Sequence, residues 1–152
     1  MRLAFVLALL VAATTANGEG WLCVAESASG FRYNKSTYKW QPQIFTTSEK
    51  YVIKKPSPED GTTAKWVVKQ LGQDFVSANC EGQYESSELG WLECTGIVNL
   101  KFSKESLRMI AVRDLFAIRS PKQIEQITKD LNIPASDNID DVVMEIGRCT
   151  AL

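Results

Sequence analysis

Apolar and polar positions alternate along much of this chain in short runs separated by turn residues, the pattern of β-strands with one face buried. Trp21 to Ala25 places Trp21, Cys23 and Ala25 on one side and Leu22 and Val24 on the other. The Ser27-Ala28-Ser29-Gly30 cluster predicts a turn into Phe31–Asn34, and with it a first hairpin. Lys39–Phe45, Tyr51–Lys54, Lys65–Gln70, Trp91–Thr95, Ile97–Phe102 and Leu107–Val112 read as further strands. Pro42, which has no N–H for a ladder, makes the first of these an edge or bulged strand. Val142–Cys149 ends the series with Val143, Glu145, Gly147 and Cys149 on one face and Val142, Met144, Ile146 and Arg148 on the other.

Two other segments break the alternation. The stretch Lys55-Pro56-Ser57-Pro58-Glu59-Asp60-Gly61, with two prolines and a glycine, predicts an exposed loop. Ser120 as N-cap, Pro121 at the first helical position and Ile124, Ile127 and Leu131 on one face predict a helix that packs on the sheet and ends before Pro134. Seven or eight strands plus one late helix give a mostly β chain, α+β by count. The expected architecture is a small antiparallel barrel or strongly curved sheet, with a β-sandwich as the alternative.

The amino terminus does not belong to that pattern. Met1-Arg2 followed by the apolar run Leu3–Ala13 and then small residues reads as a secretory signal peptide over residues 1–18, cleaved near Ala16 to Gly18. The run is too short for a membrane span, so no transmembrane anchor is expected, and residues 19–152 form a single domain that is secreted or periplasmic. Leu22 directly before Cys23 does not match the small residue that precedes a lipid-modified cysteine.

Export gives the four cysteines a meaning. In an oxidising compartment Cys23, Cys80, Cys94 and Cys149 are expected to form two disulfides. Of the three pairings, Cys80 with Cys94 and Cys23 with Cys149 is preferred, because the first closes a short local loop and the second ties one end of the domain to the other. The chain contains no C-x-x-C, so no metal or redox role is assigned to them. It also contains no histidine, which removes Ser-His-Asp and Cys-His catalysis and imidazole-dependent zinc.

The charge balance excludes less. With 17 basic and 18 acidic residues there is no basic excess to suggest a nucleic-acid partner. The charges are blocked, however. Arg32–Lys69 carries eight basic and three acidic residues, Asp74–Glu93 five acidic and no basic ones. Lys101–Lys122 is again basic and Glu125–Arg148 acidic, so segments of opposite sign are expected side by side. Aromatics interleave with the first basic block, and an anionic-ligand patch there would use Arg32, Lys39, Lys54, Lys55 and Lys69.

Three local motifs are weaker. Ser36-Thr37-Tyr38-Lys39 matches S-x-x-K in form, but that geometry needs a helix. Asp137–Asp141 lacks the glycine and the terminal glutamate of an EF-hand, so no metal is assigned. Asn34-Lys35-Ser36 is an N-glycosylation sequon, meaningful only in a eukaryotic secretory pathway.

Trp21-Leu22-Cys23, Gly30-Phe31-Arg32-Tyr33, Trp40, the Cys80 and Cys94 pair and the closing Glu145-Ile146-Gly147-Arg148-Cys149 resemble a group of small exported bacterial and phage proteins without an assigned activity. The likeness spans most of residues 19–152 and implies export, but it carries no catalytic residue. The size, leader and disulfides are also similar in format to lipocalin-like proteins and inhibitors of c-type lysozyme, although the lipocalin G-x-W is lacking near Trp21. The function expected is an exported non-enzymatic binding or interaction module without a cofactor, its partner a protein, a glycan or a small apolar ligand. The alternatives are a lipocalin-like carrier or secreted inhibitor, and a hydrolase using carboxylates among Asp74, Glu81, Glu85, Glu88 and Glu93.

Overall fold

The computed structural model describes residues 19–81, 90–130, 132 and 140–152, so the signal-peptide reading, Glu85 and Glu88 lie outside the described residues. The strands are β1 (Gly20–Asn34), β2 (Lys39–Phe45), β3 (Lys50–Lys54), β4 (Trp66–Gln70), β5 (Ala78–Cys80), β6 (Trp91–Gly96), β7 (Asn99–Ser103), β8 (Arg108–Arg113) and β9 (Val142–Ala151). The helix α1 (Pro121–Asp130) lies between β8 and β9. All pairings are antiparallel, in the order β2-β1-β3-β4-β5-β6-β7-β8-β9, and β9 pairs back onto β1. β2 and β3 follow one another along the same edge of β1, with Phe45 opposite Ala28 and Lys50 opposite Val24. Counted as one interrupted strand, they make the sheet an eight-strand up-and-down barrel, as the alternation predicts.

The barrel interior is filled. Trp21, Tyr51, Ile53, Trp66, Leu92, Leu100, Phe102 and Met109 are all buried in one core cluster. The Trp21 ring lies 5.0 Å from that of Trp66 and 5.2 Å from that of Phe102. Both expected disulfides form, each between residues directly opposite on neighbouring strands: Cys23–Cys149 across β1 and β9, and Cys80–Cys94 across β5 and β6. The first therefore sits on the seam that closes the barrel. Gly147 makes that seam tight: a Cβ there would lie 2.1 Å from the carbonyl oxygen of Val24.

Two elements depart from the alternation pattern. The Ser27–Gly30 cluster does not reverse the chain, because β1 runs through it with a bulge between Ala25 and Ser27 against β9. Small residues serve here for close approach, since a Cβ on Gly30 would fall 1.9 Å from the Val142 carbonyl oxygen. The first hairpin is instead β1–β2, turned at Asn34–Lys39, where Asn34 Oδ1 accepts from the N–H of Ser36 and of Thr37. The helix forms with the expected cap, Ser120 Oγ accepting from Gln123 N–H and Gln123 Oε1 from Ser120 N–H. It does not bury its apolar face on the sheet, however. No residue of α1 is buried, and Ile124 and Ile127 are only half-covered. Leu131, the third residue of the expected stripe, lies outside the described residues.

Candidate functional site

Three features stand out from the packed barrel: a polar network inside it, a charged clamp on its wall, and a cleft beside the β1–β2 hairpin. The network begins at Glu145, which alternation on β9 turns inward, opposite Ala28 on β1 and Ala111 on β8. The small neighbours leave room for a carboxylate. Tyr51, from β3, donates its hydroxyl to Glu145 Oε2 at 2.5 Å, and Arg113, at the end of β8, donates to Glu145 Oε1 at 2.9 Å. Arg113 also approaches Glu49 at 3.8 Å, and Gln70 Nε2 donates to the other Glu49 oxygen. Burial, followed by the negative charge of Glu145, pushes the Tyr51 phenol well above its ordinary value. This network ties β3, β4, β8 and β9 together across the lumen. Its two carboxylates, Glu145 and Glu49, share Arg113.

The clamp organises two of the expected basic residues, Lys54 and Lys69. The loop after β3 makes a 3-10 turn at Pro58–Asp60, and Asp60 accepts from the Ser57 N–H (2.7 Å) and hydroxyl (2.9 Å). Its carboxylate, nearly covered, reaches Lys69 at 2.6 Å and Lys54 at 3.6 Å, so the loop turns back over the outer wall of β3 and β4. Lys69 and then the Ser57 hydrogen bonds hold the Asp60 carboxyl well below the usual carboxylate range. Lys55 pairs with Glu19 at 3.3 Å and lies over the Trp66 ring at 4.7 Å. Arg32 grips the buried Asp141 with two nitrogens, at 2.9 to 3.2 Å. Lys39 is exposed at the start of β2. Thus the structure brings Lys54 and Lys69 together on a carboxylate and sends Arg32 to another. Segments of opposite charge do lie side by side, as Lys101 with Glu93 also illustrates.

The remaining motifs resolve simply. Ser36 and Lys39 lie at the hairpin turn, not on a helix. Asp141 gives both its oxygens to Arg32, and Asp137 to Ile139 lie outside the described residues. Of the acid-rich group, Glu93 is a surface partner of Lys101, while Asp74 and Glu81 are exposed.

The cleft was not anticipated. About 660 Å³ of open space lies between the hairpin and α1, walled by Tyr33 and Trp40 on one side and by Ala117, Ile118, Pro121 and Ile124 on the other. The Tyr33 and Trp40 rings, cross-strand partners, are 5.2 Å apart, and Ile118 is 87% exposed. Lys35, Arg119, Glu125, Thr128 and Asp140 form its polar border. The aromatics were visible in sequence as part of the basic block. Ala117 and Ile118 fall in a segment without periodicity, so no sequence signal joins the two walls. Among the described residues no helix is long and apolar enough to cross a membrane. No protein-family model, curated protein or solved structure matches the chain.

Proposed function

We propose that the protein is an exported, non-enzymatic binding module that receives an apolar group of its ligand in the cleft between the β1–β2 hairpin and α1. The observation that carries this reading is an open, aromatic-walled space of about 660 Å³ beside a barrel whose lumen is packed. That volume lies within the usual range for small-molecule sites, and its few polar groups sit at the border, where they orient rather than anchor a ligand. An Ile118 left 87% exposed costs solvation that an incoming apolar group would recover. A carrier holding its ligand inside the barrel is less well supported, because Trp21, Trp66, Phe102 and the Tyr51–Glu145 network occupy the lumen. Export fits the leader-like start of the sequence and the two disulfides, which persist in oxidising compartments.

The test uses 1-anilinonaphthalene-8-sulfonate, whose rings suit the apolar walls and whose sulfonate suits Lys35 or Arg119. Titration of the oxidised protein should give a saturable fluorescence signal. Trp40→Ala and Ile118→Lys should each weaken binding at least about tenfold, a loss of roughly 1.4 kcal/mol, without lowering the unfolding temperature. Equal binding by the parent and both variants would sink the proposal.

A further inference from the structure

The outer wall of β2, β1, β9 and β8 is apolar where an exposed sheet face is ordinarily polar. Register places Ile44 opposite Ser29, Ser29 opposite Met144, and Ile146 opposite Ile110, with Phe31 two residues beyond Ser29 on the same face. Phe31 is 50% exposed, Ile44 83%, and Met144, Ile146 and Ile110 each 47–48%. Together these five side chains offer on the order of 500 Å² of contiguous surface, at the upper end of what monomers leave open. With its rim, such a patch approaches the roughly 800 Å² per partner that a stable complex buries.

We propose that this face is the interface of a homodimer, two barrels packed wall to wall through β9. The apolar area, measured against what a stable complex buries, points to a second copy. The charges of the wall lie at one end of the patch, where Arg148, 3.5 Å from Glu26, stands opposite Arg108, so a two-fold packing of antiparallel β9 strands keeps the arginines of the two copies apart. The chain as a whole has a net charge of −1, so two copies meet without appreciable repulsion. Edge-to-edge addition at β2 is disfavoured by Pro42 in mid-strand and by Gln43 Nε2 donating to the Ile44 carbonyl, so face packing is the arrangement left. The proposal uses different residues from the cleft, and either can fail alone.

Sedimentation velocity of the oxidised protein between about 1 and 100 µM decides the matter. The parent should dimerise, and Ile146→Lys and Ile110→Glu should each raise the dissociation constant at least about 30-fold. Circular dichroism must show both variants folded, and Ile118→Lys in the cleft should leave the dimer unchanged. If Ile146→Lys fails to fold, Ile44→Lys on the exposed strand β2 serves in its place. A parent that stays monomeric throughout overturns the proposal, as does a dimer indifferent to these substitutions. A monomer that still binds the naphthalene probe would overturn the dimer and leave the cleft reading standing.

Discussion

Glu145 occupies a core position by alternation and a polar one by chemistry, and its partners reconcile the two. A carboxylate taken out of water is tolerated only when its oxygens are bonded, and Tyr51 and Arg113 each take one. Removing the Tyr51 hydroxyl leaves a fully buried ring with its packing intact and deletes a hydrogen bond to a charged group. Tyr51→Phe should therefore cost about 1.5–3 kcal/mol in urea unfolding with the fold preserved. The phenol also sets a pH dependence. Its folded value is raised above the ordinary one of about 10, so its contribution is full below that pH. The contribution falls as pH rises further, because the unfolded chain ionises its tyrosine while the folded one cannot. Parent stability should thus drop from about pH 10 upward, with a smaller drop in Tyr51→Phe. Parallel alkaline profiles for the two would remove Tyr51 from this account.

The loop after β3 shows how an element that looks exposed in sequence becomes part of the wall. Asp60 is the fixing point, and its depressed carboxyl makes the sign definite. Its stabilisation is complete above the ordinary carboxylate value of about 4 and is lost as pH falls through the lower folded value. Trypsin should leave the parent intact at neutral pH. Asp60→Asn should be cut after Lys54 or Lys65, since the neutral amide no longer holds Lys69 and Lys54 against the loop. A variant as resistant as the parent would mean that another contact holds the loop. The same region shows why some elements were legible and others not. β9 buries alternate residues from Val143 to Cys149, and β2 carries an edge-strand proline, so both strand and environment could be read. β5 has only Ala-Asn-Cys, too short to display a period, and its place depends on pairing with β4 and β6. Ser27–Gly30 carries a turn signal because the same small residues serve both turns and close strand contacts. The basic block was legible as charge, but its partners were not: Asp60 sits in the block's own loop and reaches Lys54 and Lys69 only because that loop folds back, while Glu19 and Asp141 come from distant parts of the chain. The cleft was the least legible, since Trp40 and Ile118 meet only through the fold.

At the scale of the molecule, the two disulfides hold different things. Cys23–Cys149 spans 126 residues of chain and lies on the closing seam, where β1 and β9 are already paired from Trp21 to Phe31. Its contribution falls mainly on the unfolded chain, and loop-closure entropy puts it at about 5 kcal/mol for a loop that long. Cys80–Cys94 spans only 14 residues, worth about 3 kcal/mol on the same reasoning, but it anchors a three-residue strand with few bonds of its own. Replacing Cys23 and Cys149 by alanine should therefore lower the global urea midpoint more than replacing Cys80 and Cys94. The second replacement should instead raise hydrogen exchange selectively at Ala78–Cys80 and Trp91–Gly96. Because all four sulfurs are buried, both variants leave cavities of similar size, so the difference between them reports the crosslinks. A larger global loss from the short-loop variant would mean that β5 is integral to the barrel's cooperative unit. In that case the seam would be held by its backbone ladder and by the close approach at Gly147, with the long disulfide contributing little.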